Sequence, residues 1–283
     1  YVARLGRLHA GIDRGVFRRI RARSAFTRRA DKNGNLMTEK HKNDMYGNID
    51  LRSEEDEGVS ELIPAATVVL LRNTDAGPEV LMLKKNSKIT FGGMWVFPGG
   101  KIDASDYADE EDVDQAARNA AARETKEEAG VEVDPNSFFQ IAHWTPPPGQ
   151  QKRFTTWFFG ACLEEGAQDI QIDDGEIKEH SWILPEAALE RHRKGEIDLV
   201  PPTWVTLHHL SLYPSIHSLE ERFSGNQHIT YNTRVVADEK GVRVAMWRGD
   251  AGYEDWDPNK QGERHRLSMA ESGFVFENSV ENY

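Results

Sequence analysis

The chain has 283 residues, 29% of them charged and 38% hydrophobic, with a net charge of −12. That length suits one large domain with additions, and no apolar run reaches the roughly 18 residues that a membrane span needs. The single cysteine, Cys162, excludes an intrachain disulfide and agrees with a reducing, cytoplasmic compartment.

Residues 1–36 hold ten Lys/Arg against two Asp, so the acidic excess lies in the remainder. Leu5, Leu8, Ile12, Val16 and Ile20 recur at helical spacing and predict a basic amphipathic helix. Three readings stand for it: an organelle-targeting peptide, a membrane or nucleic-acid contact, and a leader without function. Residues 37–60 are polar and acidic, with the run Glu54-Glu55-Asp56-Glu57, and read as a linker. Residues 1–60 are thus expected to be a poorly ordered extension. The acidic body disfavours nucleic acid as a partner.

The folded part is predicted to begin near Leu62. Ala65 to Leu71 is a buried-strand signal, a turn follows over 73–78, and Val80 to Lys85 returns as a second strand ending in a basic pair. Trp95-Val96-Phe97-Pro98-Gly99-Gly100-Lys101 is a glycine turn. Lys101 to Asp114 carries seven acids and reads as a loop insert. Asp114 to Ala129 is rich in Ala and predicts a helix, which Gly130 would cap in the left-handed conformation. On that helix Glu124, Glu127 and Glu128 stand at i, i+3 and i+4 and share one face. Arg123 is four residues from Glu127 and able to pair with it. Clustered carboxylates repel one another, and a hard divalent cation turns that repulsion into binding.

Phe138 to Thr145 and Arg153 to Phe159 read as strands around the rigid Pro146-Pro147-Pro148-Gly149 loop. Arg153 has two readings of equal weight, a substrate-phosphate contact and a surface arginine at a strand start. Cys162 is expected as a small buried strand residue. Asp174 to Ile183 reads as a further strand containing Glu176 and Glu179, either of which would add a carboxylate. Pro185 and Pro201-Pro202 mark helix starts. Residues 228–248 predict two strands around Glu239-Lys240-Gly241. The basic cluster Arg264-His265-Arg266 has two readings, a contact for substrate anions and part of a solvated tail, of which the second is expected.

The glycine turn and the run Arg123-Glu124-Thr125-Lys126-Glu127-Glu128-Ala129-Gly130-Val131 resemble the two halves of a Nudix box. In the family, a Glu stands eight residues before the Arg, where this chain has Gln115, and fourteen residues separate Gly100 from Gln115 instead of five. Such an interrupted box resembles the Nudix branch of the peroxisomal coenzyme A diphosphatases. Gly93, Phe97-Pro98-Gly99-Gly100 and the Arg153-Phe154-Thr155-Thr156 segment fit that branch, while Ile89 stands about where its signature has Arg. The resemblance implies an α/β fold, an α/β/α sandwich with a mixed β-sheet over residues 61–223, with the basic N-terminal extension before it and a β-rich C-terminal addition over 224–283. It implies hydrolysis of a diphosphate in a nucleoside-diphosphate-linked small molecule, with coenzyme A or an acyl-CoA first among the substrates. It implies Mg²⁺ or Mn²⁺ held by Glu124, Glu127, Glu128 and the Gly99 carbonyl. Glu124 or Glu128 would act as base, and Arg123 would orient Glu127. A homodimer is compatible with the family. The alternative is a non-catalytic Nudix module that binds a nucleotide or coenzyme A and regulates a partner.

Overall fold

The computed structural model describes residues 29–30, 36–37, 41–46, 61–88, 91–109, 112–150, 152–163, 169–226 and 228–280. The helix expected over residues 5–20 and the charge run at 54–57 lie outside them. Residues 1–39 form one unit, in which Arg29–Ala30 (β1) pairs antiparallel with Leu36–Met37 (β2). Residues 40–283 form the other.

The apolar run near the start of the second unit becomes the long strand Leu62–Thr74 (β3), buried from Ala65 to Leu71. The chain turns and returns as Gly77–Lys85 (β4), paired from Leu71 with Val80 to Thr74 with Gly77, the expected hairpin. Trp95–Val96 (β5) runs antiparallel to β4, and Gly99–Lys101 (β6) antiparallel to the first half of β3. Phe139–Thr145 (β7) and Arg153–Cys162 (β8) pair antiparallel, and β8 lies parallel to β3 along its whole length. Ile177–Ile183 (β9) pairs antiparallel with β4, and Ile229–Asn232 (β10) runs parallel to β7. The sheet is therefore mixed.

Alternation along the strands splits the core between two faces. Val68, Leu70, Leu81 and Leu83 pack against the helix Val113–Ala129 (α1). Val69, Leu71, Val80 and Met82 pack with Pro185–Arg193 (α2), Pro201–Leu210 (α3) and Ile216–Phe223 (α4). The result is the α/β/α sandwich that the resemblance implies. In α1 the buried face is Ala116, Ala117, Ala120 and Ala121, and these short side chains let the helix axis come close to the sheet. Asp112 caps its start by accepting from the Gln115 N–H at 2.9 Å, and Gly130 ends it at φ 70°, the left-handed cap read from the sequence.

Three stretches depart from expectation. Within the supposed linker, residues 41–46 are packed: Asn43 Nδ2 donates to the carbonyls of Ala270 (3.1 Å) and Glu271 (3.0 Å), and Tyr46 joins the core. The second departure lies inside the β-rich C-terminal addition, where the chain forms an antiparallel sheet of Arg234–Ala237 (β11), Arg243–Met246 (β12), His265–Ala270 (β13) and Gly273–Asn278 (β14). Its Val235, Ala245, Trp247, Leu267 and Met269 share one core with α3 and α4. The basic cluster is accordingly no solvated tail. Arg266 is buried, with Nε and Nη2 each 2.6 Å from an oxygen of Asp250, a partner sixteen residues away that no local pattern reveals. Finally, Cys162 is exposed at the end of β8, where its Sγ donates to Glu220 Oε1 at 3.2 Å. Partial burial of the sulfur, then that carboxylate, push the thiol pKa up to about 12, which argues against a nucleophilic role.

Candidate active site

The glycine turn is pinned onto β3. Thr67 Oγ1 and the Val68 N–H both donate to the Pro98 carbonyl, at 2.5 and 3.0 Å. A Cβ at Gly99 would stand 2.4 Å from the Ala66 carbonyl oxygen, and one at Gly100 2.3 Å from Glu124 Oε1. Missing side chains at these two positions thus let the turn lie against β3 and let α1 bring a carboxylate down onto it.

Glu128 is on the sheet side of α1 and buried. Its Oε2 accepts from the Gly99 N–H at 3.0 Å, and its Oε1 is ion-paired with Lys85 Nζ. Lys85 continues the face of Leu81 and Leu83, which is why it meets α1. The same ammonium lies 3.5 Å from Glu176 Oε2. Lys84, one residue earlier, pairs with Glu179 at 2.7 Å instead. Of the two extra carboxylates that the sequence offered, Glu176 is therefore the one beside the box.

Glu124 rests on Gly100, with Oε1 2.9 Å from Arg123 Nη1. Glu127 is more exposed and accepts from the same nitrogen at 3.1 Å. The remaining Arg123 donors turn the other way: Nε and Nη2 reach Asp106 Oδ1 (3.0 Å) and Oδ2 (2.9 Å), and Nη2 also reaches the Lys101 carbonyl at 3.0 Å. Gln115, where the box has its Glu, bonds Asn119 instead at 3.0 Å. The carboxylate that grips the box arginine comes from the acidic insert. Asp106 is buried and is the residue that sequence reasoning missed, being one acid among seven in a stretch without periodicity.

Burial raises the pKa values of Glu124 and Glu128, in part against the neighbouring Arg123 and Lys85 cations. For Lys85, burial alone would lower the value, and the Glu128 and Glu176 carboxylates more than reverse it. Arg123 is raised, first by its bonds to Asp106.

Lys85, Gly99, Gly100, Glu124 and Glu176 line a 740 Å³ cavity. Lys101 and Lys152 add positive charge to its wall, Tyr46, Phe97, Trp144 and Phe158 add aromatic surface, and threonines such as Thr67 and Thr156 add hydroxyls. Arg153 lines a second cavity, of 350 Å³, and its Nε and Nη2 donate to the carbonyls of Pro147 (3.2 Å) and Pro146 (3.0 Å). It braces the proline loop that borders both cavities.

A divalent cation suits the donor chemistry here. Glu124, Glu128 and Glu176 offer hard carboxylate oxygens, and a cation, the Lys85 ammonium, already stands among them. Among the described residues no three His, Cys, Asp or Glu side chains converge as a metal-binding group. The structure links Gly99 to the box through its amide, whereas the sequence expectation concerned its carbonyl.

A family model described as the NUDIX domain matches residues 61–202, half of the chain. The chain belongs to the NUDIX family. This NUDIX protein is 26% identical over 168 residues to the acyl-coenzyme A diphosphatase NUDT19 of Gallus gallus, a match covering 51% of this chain and 44% of that one. It thus spans under half the length of that relative. Among solved structures, a NUDIX hydrolase from Alicyclobacillus acidocaldarius superimposes with a TM-score of 0.51 at 23% identity, over 57% of this chain and 96% of the other. That likeness supports the NUDIX fold. Among the described residues no helix is long and apolar enough to cross a membrane.

Proposed function

We propose that this NUDIX protein hydrolyses the diphosphate of a nucleoside-diphosphate-linked small molecule, with an acyl-coenzyme A or coenzyme A as the leading substrate. The observation that carries this reading is one cavity with two chemistries. Its lining brings together carboxylates and lysines on the one hand and aromatic and aliphatic side chains on the other. A diphosphate belongs at the first, and a thioester-linked chain or a base at the second. The Gallus gallus relative named as an acyl-coenzyme A diphosphatase points to the same substrate class.

In this reading Glu124, Glu128 and Glu176 hold Mg²⁺ or Mn²⁺. When bound, such an ion neutralises diphosphate charge and acidifies water. The chain's own residues do the rest. Lys101 and Lys152 draw the anionic substrate into the cavity, and the apolar wall excludes bulk water around the scissile group. Glu124, at the cavity wall with a raised pKa, is placed to take a proton from the attacking water. Arg123 fixes the carboxylates of Glu124 and Glu127, and Asp106 fixes Arg123.

The test is a panel of acyl-CoA, CoA, ADP-ribose and dinucleotide substrates assayed with Mg²⁺ and Mn²⁺. Acyl-CoA is expected to be the best substrate, and Glu124→Gln or Glu128→Gln to lower turnover by about 100-fold or more. Unchanged turnover in both variants would remove the site assignment. A second reading, a nucleotide- or CoA-binding regulatory module, rests on the engagement of Glu128 by Lys85. Tight ligand binding without any product across the whole panel would favour it.

A further inference from the structure

Lys85 is the cation paired with Glu128, as Arg123 is with Glu124 and Glu127, and the family comparison assigns it nothing. Its backbone is fixed: the N–H donates to the Met94 carbonyl and the carbonyl accepts from the Gly93 N–H, each at 3.0 Å. The next residue, Asn86, ties the strand to the Glu176 segment through its N–H to the Glu176 carbonyl (2.7 Å) and its Nδ2 to the Gly175 carbonyl (2.9 Å). Lys85 also lines the 740 Å³ cavity, so its side chain has open space beside it. Its ammonium now spans Glu128 and Glu176, two of the oxygen donors that a divalent ion would use.

Both Glu128 oxygens are engaged, Oε1 by Lys85 and Oε2 by the Gly99 N–H, and a divalent ion and the ammonium repel each other in a secluded site where charge is poorly screened. We propose that Lys85 is the box's built-in counter-cation: it holds Glu128 until a divalent ion arrives, then releases that carboxylate and turns into the cavity to meet the substrate diphosphate. The inference rests on the proposed metal-dependent reading of the site. With Lys85 in place, Glu128 is drawn onto the ammonium and the Gly99 amide, apart from Glu124 on its arginine.

The tests are equilibrium titrations that require no turnover. Mn²⁺ binding is followed by calorimetry or by the loss of free Mn²⁺ signal in electron paramagnetic resonance. Lys85→Met is expected to bind Mn²⁺ about tenfold more tightly than the parent protein, since a competing cation is gone. Lys85→Arg is expected to bind it more weakly, because a guanidinium grips a carboxylate through two bonds. With Mn²⁺ saturating, Lys85→Met is expected to bind inorganic pyrophosphate about tenfold more weakly. Opposite shifts in metal and pyrophosphate affinity are not produced by a merely structural lysine. Mn²⁺ affinity unchanged or reduced in Lys85→Met overturns the proposal. If that variant does not fold, parental Mn²⁺ affinity in Lys85→Arg overturns it as well. Absence of Mn²⁺ binding in the parent and both variants would instead bring down the metal-dependent reading itself.

Discussion

Arg123 uses one guanidinium to connect the acidic insert to two box carboxylates, so its worth depends on the residue behind it. Asp106 holds it by two charge-assisted bonds from a buried position. Asp106→Asn keeps the shape and removes the charge, and is expected to cost about 1.5–3 kcal/mol in urea unfolding. It is also expected to lower kcat more than it raises KM, since the carboxylates that Arg123 steadies lose their alignment. Arg123, Glu124, Glu127 and Glu128 were singled out by helical spacing, but spacing alone does not show that Arg123 takes Glu124 and Glu127 while Glu128 turns to Lys85. Asp106 and Lys85 were not singled out. Each reaches the box across a chain reversal, so neither spacing nor local charge pattern marks it out. Strand alternation does separate Lys84 from Lys85, but only once α1 is known to cover the face of Leu81 and Leu83.

At the level of elements, the glycine turn and α1 form one device, and the two glycines serve it differently. A methyl at Gly99 would strike the backbone of β3, while one at Gly100 would strike only the movable end of Glu124. Gly99→Ala is therefore expected to lower stability by about 1–3 kcal/mol, read from denaturant unfolding. Gly100→Ala is expected to leave the melting temperature nearly unchanged while turnover falls, because it displaces a carboxylate and not a strand. Equal loss of stability in both variants would show that Glu124 has no room to yield. The hairpin, the helix and its cap follow from apolar runs, Ala content and a well-placed Gly. The second sheet was half visible: β11 and β12 flank a clear turn signal, whereas β13 begins with His265 and Arg266, whose burial depends on distant partners.

Over the larger unit, the part that follows the family match is built into the domain. Asp250 and Arg266 lock the second sheet through a pair with almost no solvent exposure. Burial would raise the Asp250 pKa, but Arg266 and the N–H groups of His265 and Gly252 outweigh it and hold it below the ordinary value. The sign follows: a depressed folded value gives stability that is present above the unfolded value of about 3.9 and lost as pH falls through the folded one. Unfolding followed from pH 6 downward is expected to show that acid loss in the parent and a smaller one in Asp250→Asn. The variant itself starts about 3–5 kcal/mol lower, with an arginine left buried without its countercharge. β10 binds this sheet to the first. Tyr231 stacks on Trp144 with ring centroids 3.8 Å apart, and Trp144 and Thr233 both line the cavity. A fragment trimmed to residues 61–202 would therefore carry a raw hydrogen-bonding rim along β7 and half of an aromatic sandwich open to water. Such a piece is expected to clump on a sizing column and to misreport ligand preference, because Met45, Tyr46, Thr203 and Thr233 would have been cut from the lining of its binding chamber.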